Sequence, residues 1–349
     1  MIRDNFYEKM SDILSRYGHG FLINIVEGIY EGIDLKSTKC IINDEITYFE
    51  EDSLKNLWIE LIKDIDFSKG THTVYINGFK LFIEYLTGRP ELVICGGGHI
   101  AVPISKIGKM LDFKVVVIDN RAEFANKERF NDVDDILCEE FEDALEKINA
   151  NKNTYFVIVT RGHKDDRRCL EKVLRGKFMY VGMIGSKSKV GMVMNVLREE
   201  GFSEELLKKV HSPIGLKIGG QTPAEIAVSI AAEIVQAKNE KKISTIEDDV
   251  IQGLSYSKKN RVLATIVEKT GSTPRGESSR MLIYDDRTFI GTVGGGSIEN
   301  AVYEKALELI KEEKSYSEVY DLSNSAASKL GMACGGRVNI LFEYIRGNK

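Results

Sequence analysis

The sequence has no C-x-x-C pair. Its five cysteines stand singly along the 349 residues, at Cys40, Cys95, Cys138, Cys169 and Cys334. This spacing argues against a disulfide framework and against a cysteine-ligated zinc site. Any functional cysteine is therefore expected to act as a free thiol.

Long apolar runs and an excess of one charge are also missing. No apolar stretch is long enough to span a bilayer, and the N-terminal segment MIRDNFYEKMSDILSRYGHG reads as a charged amphipathic helix without the apolar core of a signal peptide. The formal charge of −5 comes from interspersed acidic and basic residues, which argues against binding of nucleic acid. We expect a cytoplasmic protein without stable membrane insertion. Its length predicts two or three domains.

The segment LVICGGGHIAVPISKIGKMLDFKVVVID, residues 92–119, has the order strand, glycine turn, helix, strand and acid. Gly96, Gly98 and Ala101 fit the pattern G-x-G-x-x-A, in which the second glycine lets backbone approach a phosphate at a helix N-terminus. We expect Asp119 to bind ribose hydroxyls and to disfavour a 2′-phosphate, although Arg121 stands two residues further on. The segment predicts a Rossmann-type dinucleotide unit. A glycine turn that serves only packing is the alternative.

The alternation of strands and helices continues beyond this segment. Residues 154–160 and 178–185 each read as a strand followed by a helix, which predicts a doubly wound parallel sheet with ligands beyond the carboxyl ends of its strands. Further on, Thr222, Pro223 and Glu225 form a capping box, so we interpret Glu225 as a cap rather than a catalyst. The residues that this sheet would place beside the glycine turn are Arg161, His163, Ser186 and Lys187.

Two glycine loops mark the C-terminal part of the chain. The triplet Gly294–Gly296 and the pair Gly335–Gly336 suggest backbone amides that converge on an anion. Cys334 stands directly before the second loop and close to Arg337. This setting would lower the pKa of an exposed thiol and increase its reactivity. A buried structural cysteine is the alternative.

The N-terminal residues look like a worn copy of the C-terminal ones. Residues 22–42 align without a gap on residues 263–283, and residues 80–86 align on residues 339–345. The copy lacks the glycine triplet and the T-P-R loop, and Tyr75 stands where Cys334 would fall. We expect one copy to be a scaffold and the other to work, with the two packed as a pseudo-two-fold pair or exchanged between protomers.

Several segments resemble the XdhC/CoxI family, the accessory factors of xanthine dehydrogenase and related molybdenum hydroxylases. The C-terminal ones are ATIVEKTGSTPRGESSRMLI, GTVGGGSIEN and MACGGRVNILFE. Those similar to the family's Rossmann domain are LVICGGGHIAVPISKIGKMLDFKVVVIDNR, VTRGHKDD, YVGMIGSKSK and HSPIGLKIGGQTPAEIAVSI. The resemblance implies an α/β fold: a Rossmann-type doubly wound parallel sheet plus a smaller α+β XdhC/CoxI-type module, with a degenerate N-terminal copy of that module.

The domain boundaries that we expect follow from these segments. Residues 1–90 form the degenerate module, residues 91–240 the Rossmann-type domain, residues 241–260 a linker, and residues 261–349 the module with the glycine loops and Cys334. The order departs from the family's familiar one, in which the glycine and cysteine module comes first. Ser297 also replaces a cysteine often found in the Gly-Gly-x-x-Glu segment, so thiol chemistry falls on Cys334.

The resemblance implies a maturation role more than an enzyme with turnover. Such proteins bind the molybdenum cofactor, protect it while a cysteine desulfurase installs its sulfido ligand, and assist its insertion into the apo molybdenum hydroxylase. Cys334 would be the catalytic thiol or soft metal ligand, and Arg275, Arg280 or Arg337 would pair with the cofactor's phosphate. The implied cofactor-binding residues are Gly96, Gly98, Ala101, Asp119, Arg121, His163, Ser186, Lys187, Arg275, Gly294, Gly295, Gly296, Glu299, Gly335 and Gly336.

Alternatives of other classes stay open from sequence. An NAD(P)-dependent oxidoreductase would use Asp119 for ribose and His163 or Lys187 as acid or base, but no catalytic motif of a substrate domain is evident. A nucleotide-sensing protein without chemistry would fit the worn repeat. The cofactor is expected to be molybdopterin or its dinucleotide form, with NAD(P) as a further candidate, and the protein is expected to form a homodimer.

Overall fold

The structure is a computed structural model that describes residues 6–240, 242–271, 275–321 and 336–348, apart from the side chains of His163 and Ser297. Cys334 and Gly335 lie outside the described residues. The chain divides into two compact units, one formed by Met1–Leu86 with Lys242–Lys349 and the other by Thr87–Lys241. Along the sequence, the central unit therefore separates the two segments of the other unit.

The N-terminal half of the discontinuous unit is one helix followed by strands around a second helix. The elements are α1 (Phe6–Tyr17), β1 (His19–Glu27), β2 (Ile29–Tyr30), β3 (Ile33–Asp34), β4 (Lys39–Ile42), β5 (Thr47–Phe49), α2 (Lys55–Lys63), β6 (His72–Ile76) and β7 (Phe79–Thr87).

The central unit alternates strands with helices. Its elements are β8 (Glu91–Cys95), α3 (Ala101–Met110), β9 (Lys114–Ile118), β10 (Asp135–Leu137), α4 (Phe141–Lys147), β11 (Thr154–Ile158), α5 (His163–Leu174), β12 (Tyr180–Met183), α6 (Lys187–Glu199), α7 (Glu204–Leu207), β13 (Val210–His211) and α8 (Pro223–Glu240). Glu225 accepts a hydrogen bond from the Thr222 N–H at 3.0 Å, and the Thr222 hydroxyl accepts one from the Glu225 N–H at 3.3 Å. The predicted capping box at α8 is therefore confirmed.

The sheet of the central unit is parallel, in the order β10-β9-β8-β11-β12-β13. Its four inner strands, β9, β8, β11 and β12, are almost entirely buried, as their nearly continuous apolar sequences predict, whereas the edge strands β10 and β13 are partly exposed. Val93 and Phe156 pack on one face with α4 to α7. On the other face, α3 approaches so closely that a Cβ on Gly108 would lie 2.7 Å from Leu92. This is the predicted doubly wound Rossmann sheet.

The C-terminal half of the discontinuous unit completes the fold. Its elements are β14 (Ser244–Thr245), α9 (Asp248–Tyr256), β15 (Arg261–Thr270), β16 (Arg280–Tyr284), β17 (Phe289–Gly291), α10 (Gly296–Glu312), β18 (Tyr316–Asp321) and β19 (Arg337–Ile345). The segment predicted as a linker, residues 241–260, instead contains β14 and α9. Val250 and Leu254 of α9 are fully buried in a core shared with Met10 of α1, which holds the segment in the fold.

The two halves repeat one topology. The N-terminal sheet has the order β6-β7-β1-β4-β5, with β14 also paired to β7, and the C-terminal sheet has the order β18-β19-β15-β16-β17. Helix α2 follows β5 as α10 follows β17, and α1 precedes β1 as α9 precedes β15. Tyr75 lies in β6, the counterpart of β18, so it corresponds to a β18 residue rather than to Cys334. We call the two halves the N-module and the C-module.

The strand register follows the ungapped alignment of the sequence. Leu22 pairs with Ile41 in the N-module, and Leu263 pairs with Leu282 at the same offset along the chain in the C-module. Ser37 and Ser278, which the alignment places together, both adopt left-handed backbone, at φ +67° and +68°. The predicted degenerate N-terminal copy of the C-terminal module is thus confirmed, down to the pairing of single residues.

Each module sheet buries one face under its own helix and the other against its partner module. In the C-module, Val302 of α10 packs on Ala264 and Phe342. Between the modules, Val26 and Phe82 meet Val267 and Leu341 in one cluster. The unit is therefore a layered stack of helix, sheet, sheet and helix.

Candidate functional site

The first candidate site lies in the central unit, at the carboxyl ends of β8 and β11. The chain runs from β8 through β9 to β10 in one direction of the sheet, and from β11 through β12 to β13 in the other. These adjacent strands therefore flank the topological switch point, where ligands of such sheets bind. We call this place the crevice.

The glycine turn after β8 uses its three glycines differently. Gly96 has φ +113°, and a Cβ there would lie 2.5 Å from the Val159 carbonyl oxygen. A Cβ on Gly97 would lie 2.3 Å from the Phe124 carbonyl oxygen, whereas none of the described atoms lies within 4 Å of one on Gly98. The first two glycines are thus required by packing, and Gly98 borders open space.

The helix that follows leaves its first amides available. Ala101 is fully buried at the start of α3, which lets the helix pack close to the sheet. The residue before it, Ile100, provides no side-chain cap. A helix N-terminus without a cap presents N–H groups and a positive dipole end to an anion.

Asp119 is committed to the protein itself. Its Oδ2 accepts hydrogen bonds from the Gly97 N–H and from Arg121 Nη2, each at 2.8 Å. Its Oδ1 accepts from Arg121 Nε at 2.8 Å and from the Arg121 N–H at 3.1 Å. Burial alone would raise the pKa of this carboxyl, but these hydrogen bonds outweigh it and hold the pKa below its ordinary value.

All the acceptor positions of Asp119 are therefore filled. A carboxylate offers about four lone-pair positions, and four donors occupy them. The side chain is also buried, at 1 % exposure. The ribose contact that the sequence predicts for Asp119 would have to displace Arg121.

Two arginines surround Phe124 beside this acid. The Arg121 guanidinium carbon lies 3.9 Å from the centre of the Phe124 ring, and that of Arg129 lies 5.2 Å from it. Arg129 Nη2 also donates to the Gly97 carbonyl oxygen at 3.2 Å. The glycine turn is therefore held by Asp119 from one side and by Arg129 from the other.

The other predicted crevice residues take the expected positions in the fold. His163 is the first residue of α5, after β11, and Lys187 is the first residue of α6, after β12. Ser186 caps α6, and its hydroxyl accepts a hydrogen bond from the Lys189 N–H at 3.3 Å. Ser186 and Lys187 are exposed. All three follow strands on the β11 side of the switch point.

Sequence reasoning missed a buried ion pair on that same side. Asp166 is fully buried on α5, and its Oδ1 accepts from the Thr160 hydroxyl at 2.6 Å and from the Thr160 N–H at 3.2 Å. Its Oδ2 pairs with Lys189 of α6. The two adjacent acids that follow the RGH segment were the sequence signal for this pair. The same pattern is equally typical of exposed acids at the start of a helix, so it did not indicate a buried ion pair.

The second candidate site is one end of the C-module sheet, which we call the loop edge. Strand β15 ends there at Thr270, β18 ends at Asp321, and both residues pair with Arg337, where β19 begins. Strand β17 also ends at this edge, at Gly291, opposite Met281 near the start of β16. The ends of β15, β17 and β18 and the start of β19 therefore lie at one end of the sheet.

The glycine triplet forms the start of α10. Gly294, Gly295 and Gly296 have φ of +133°, +74° and +67°, a run that favours glycine at each position. The N-cap residue Gly295 has no side chain that could cap the helix, whereas the Gly294 N–H already donates to the Thr292 hydroxyl at 3.1 Å. Glu299 is half-buried in the first turn, and a Cβ on Gly295 would lie 3.9 Å from its Oε2.

The candidate phosphate partners differ in their exposure at this edge. Arg275 is exposed in the loop after β15, and Arg337 is largely exposed while its Nε donates to Asp321 at 2.8 Å. Arg280 is not available at this edge, because it is buried and pairs with Glu84 of the N-module. Gly336 is buried, and Cys334 and Gly335 lie outside the described residues.

The remaining cysteines are mostly inaccessible. Cys40, Cys95 and Cys169 are buried, and Cys138 is exposed. Burial raises the pKa of the Cys40 thiol. Over the ranges that the structure describes, no group of three or more His, Cys, Asp or Glu side chains is placed to hold a metal ion. Within the same ranges, no helix combines the length and the apolar sequence that a bilayer crossing requires.

Two known families match separate parts of the chain, one in the central unit and one in the C-terminal half of the discontinuous unit. Residues 92–234 match a family described as the XdhC Rossmann domain, and residues 257–321 match one described as the XdhC and CoxI family. Together the matches span more than half of the chain. They cover the crevice and the described part of the loop edge up to Asp321.

Individual relatives match over part of their length. The chain is 35 % identical over 164 residues to the uncharacterized protein YqeB of Escherichia coli strain K12, covering 47 % of this chain and 30 % of the relative. It is 25 % identical over 177 residues to a probable xanthine dehydrogenase subunit of Bacillus subtilis strain 168, covering 50 % of this chain and 52 % of the relative. The chain thus spans about half or less of each relative.

A solved structure shares the fold. The crystal structure of a xanthine dehydrogenase from Bacillus halodurans superposes with a TM-score of 0.51 at 23 % identity, over 67 % of each chain. At this identity the likeness shows a common architecture.

Proposed function

Because the chain belongs to the XdhC and CoxI family, we propose that it binds the molybdenum cofactor and helps to insert it into a molybdenum hydroxylase of the xanthine dehydrogenase type. The proposal includes protection of the cofactor while a cysteine desulfurase supplies its sulfido ligand. The protein would then be a maturation chaperone rather than an enzyme with turnover. The name of the Bacillus subtilis relative, a probable xanthine dehydrogenase subunit, supports this class of partner.

The observation that carries the proposal is the loop edge. The cofactor is an anion with a phosphate and a metal centre rich in hydrogen-bond acceptors. The triplet Gly294–Gly296 opens a helix of 17 residues without a side-chain cap, and such a start suits a phosphate or an oxo group. Arg275 and Arg337 stand at the same edge with exposed side chains. The residues present therefore fit the group.

Each residue of the edge would have a defined role. The amides at Gly295 and Gly296 would orient the anion, and Arg275 or Arg337 would neutralise its phosphate. Cys334 would supply a soft thiolate that holds the metal centre or passes sulfur to it. The cofactor, when bound, supplies the redox chemistry of the hydroxylase that receives it.

The crevice would bind the nucleotide. Its strand order, its open position at Gly98 and its uncapped α3 suit a pyrophosphate. The ligand would be the nucleotide part of the dinucleotide cofactor or a separate NAD(P). In the oxidoreductase alternative Asp119 would bind ribose, and the commitment of that side chain to Arg121 weakens this alternative.

The test is retention of cofactor and activation of the partner. The protein is purified from a molybdenum-replete host, and any bound pterin is released by oxidation and measured by fluorescence. Apo xanthine dehydrogenase is then assayed for activity with and without the purified protein. We expect pterin in wild type and loss of it in Gly295→Ala, because a methyl group there adds strain at φ +74° and narrows the space before Glu299.

Gly32→Ala is the matched control. Gly32 has φ +81° and no described atom within 4 Å of an added Cβ, so it carries similar backbone strain away from the loop edge. The control should keep the pterin and the activation. Wild-type protein that holds no pterin and fails to activate the apo-hydroxylase would contradict the proposed function.

A further inference from the structure

The ribose end of the crevice has the opposite charge from the one that the sequence pattern predicts. An acid at the end of β9 ordinarily accepts hydrogen bonds from ribose hydroxyls. Asp119 stands there, but its two oxygens accept from Arg121 and from the Gly97 N–H. The acid is thereby neutralised, and its side chain is buried.

The two arginines at this position use only some of their N–H donors in hydrogen bonds to the described residues. Arg121 keeps Nη1 outside its two bonds to Asp119, and its side chain is 26 % exposed. Arg129 makes one hydrogen bond to protein through Nη2, and its Nε is buried without a partner among the described residues. Two guanidinium groups against one carboxylate leave this corner with unpaired donors.

The Phe124 ring fixes where these donors lie. The two guanidinium carbons lie over the ring, at 3.9 Å and 5.2 Å from its centre, and this cation–π contact holds both groups beside the same ring. Glu123 and Asp165 act on Arg121 more weakly, through charge alone, and neither is buried, so water and salt screen them. Two guanidinium forks held close together suit the oxygens of a phosphate.

We infer that the ribose end of the crevice recognises a phosphate carried by the ribose, so that the protein prefers a 2′-phosphorylated nucleotide of the NADP type to its unphosphorylated counterpart. Arg121 and Arg129 would bind the phosphate, while Asp119 would hold Arg121 in place. The inference rests on the proposed nucleotide-binding role of the crevice. It reverses the sequence-based expectation that Asp119 disfavours a 2′-phosphate.

The test is a titration of the full-length protein by calorimetry with two matched pairs of ligands. NADP⁺ is compared with NAD⁺, and 2′,5′-ADP is compared with 5′-AMP. We expect the phosphorylated member of each pair to bind about tenfold more tightly, the effect of a charge-assisted contact of roughly 1.4 kcal/mol. The preference should shrink as salt rises, because part of it is electrostatic.

The variant Arg129→Gln separates recognition from folding, since it keeps a donor while it removes the charge. It should lower the affinity for NADP⁺ more than the affinity for NAD⁺. The ratio of the two affinities is the readout, because Arg129 also donates to the Gly97 carbonyl oxygen and its loss affects both ligands through the glycine turn. Arg198→Gln is the control, because Arg198 pairs with Glu204 at an exposed position on α6 and should leave both affinities unchanged.

The failures can be told apart. Equal or tighter binding of NAD⁺ and 5′-AMP would overturn the inference and leave nucleotide binding intact. A preference that survives unchanged in Arg129→Gln would also overturn it. If none of these ligands nor CTP binds to the wild-type protein, nucleotide binding by the crevice fails, and the inference fails with it.

Discussion

Lys39 and Arg280 occupy equivalent positions in the two modules, and each is buried against a glutamate of the other module. Lys39 Nζ lies 2.8 Å from a Glu343 carboxylate oxygen, and Arg280 pairs with Glu84. Burial alone would lower the pKa of Lys39, but the carboxylates of Glu343 and Glu50 outweigh it and raise the pKa. The contact between modules is thus an exchange of two ion pairs around a pseudo-two-fold axis.

Removal of one partner should destabilise this unit strongly. Lys39→Met leaves Glu343 buried without its cation, which typically costs about 3–5 kcal/mol. Chemical denaturation followed by tryptophan fluorescence should report the loss, because Trp58 is fully buried in the N-module core.

An exposed ion pair provides the control for this prediction. Lys63 pairs with Glu60 at 2.9 Å, and both side chains are more than half exposed. Lys63→Met should therefore change the free energy of unfolding by roughly 0.5 kcal/mol or less. If Lys39→Met lowers the free energy of unfolding no more than Lys63→Met does, the exchanged ion pairs do not hold the modules together.

The repeat could be predicted from sequence because the strand segments of its two copies align without a gap. The ungapped alignment placed Leu22 with Leu263 and Ser37 with Ser278, and the registers and backbone angles agree. Helix α9 was missed because its start, Asp248 and Asp249, is charged and follows a lysine-rich stretch. Its place before β15, which matches that of α1 before β1, shows that it belongs to the repeat.

The candidate sites were predictable in position and less so in chemistry. The glycine patterns predicted a turn after β8 and a glycine-rich helix start, and the structure has both, at Gly96–Gly98 and Gly294–Gly296. Ligand binding at these turns stays a prediction. The state of Asp119 depends on where the Arg121 side chain turns, and a sequence does not fix that direction. The removal of Arg280 from the loop edge likewise depends on Glu84, which lies in the other copy of the repeat.

Gly98 and Gly97 should respond differently to an added side chain. Gly98→Val has no described atom within 4 Å of its Cβ, so the fold should survive while backbone approach to a phosphate is blocked. Gly97→Ala places a Cβ 2.3 Å from a carbonyl oxygen and should lower the melting temperature. Thermal unfolding and nucleotide titration of both variants check the contrast. A Gly98→Val protein that binds nucleotide as wild type does would move the phosphate elsewhere.

The way in which the stability of the folded protein falls at acid pH should depend on Asp119. Because hydrogen bonds hold its folded-state pKa below the ordinary value, its contribution is present above the unfolded pKa, about 3.9, and is lost as the pH falls through the folded pKa. Asp119→Asn should cost roughly 1–3 kcal/mol near neutral pH. The difference from wild type should shrink below about pH 4.

Melting temperatures measured between neutral and acid pH test this directly. Asp132 is exposed, so Asp132→Asn should follow the wild-type curve throughout. A difference between Asp119→Asn and wild type that stays constant across the whole range would mean that ionisation of Asp119 does not contribute to stability.

Cys334 should be the most reactive thiol after Cys138 is removed. Cys40, Cys95 and Cys169 are buried, whereas Cys138 is exposed and would compete for reagent, so the measurement belongs in a Cys138→Ser background. Cys334 lies outside the described residues, and its expected reactivity rests on the neighbouring glycines and Arg337, which would lower its pKa below about 8.5.

Alkylation followed by peptide mapping should modify Cys334 first, and bound molybdenum cofactor should slow the reaction. Cys334→Ser nearly preserves volume and removes the soft ligand, so the fold should survive while pterin content and activation of the apo-hydroxylase fall. If Cys334 resists alkylation in the native protein, or if Cys334→Ser activates the hydroxylase as wild type does, the thiol is structural. Cofactor handling at the loop edge would then depend on the amides of Gly295 and Gly296 and on the arginines alone.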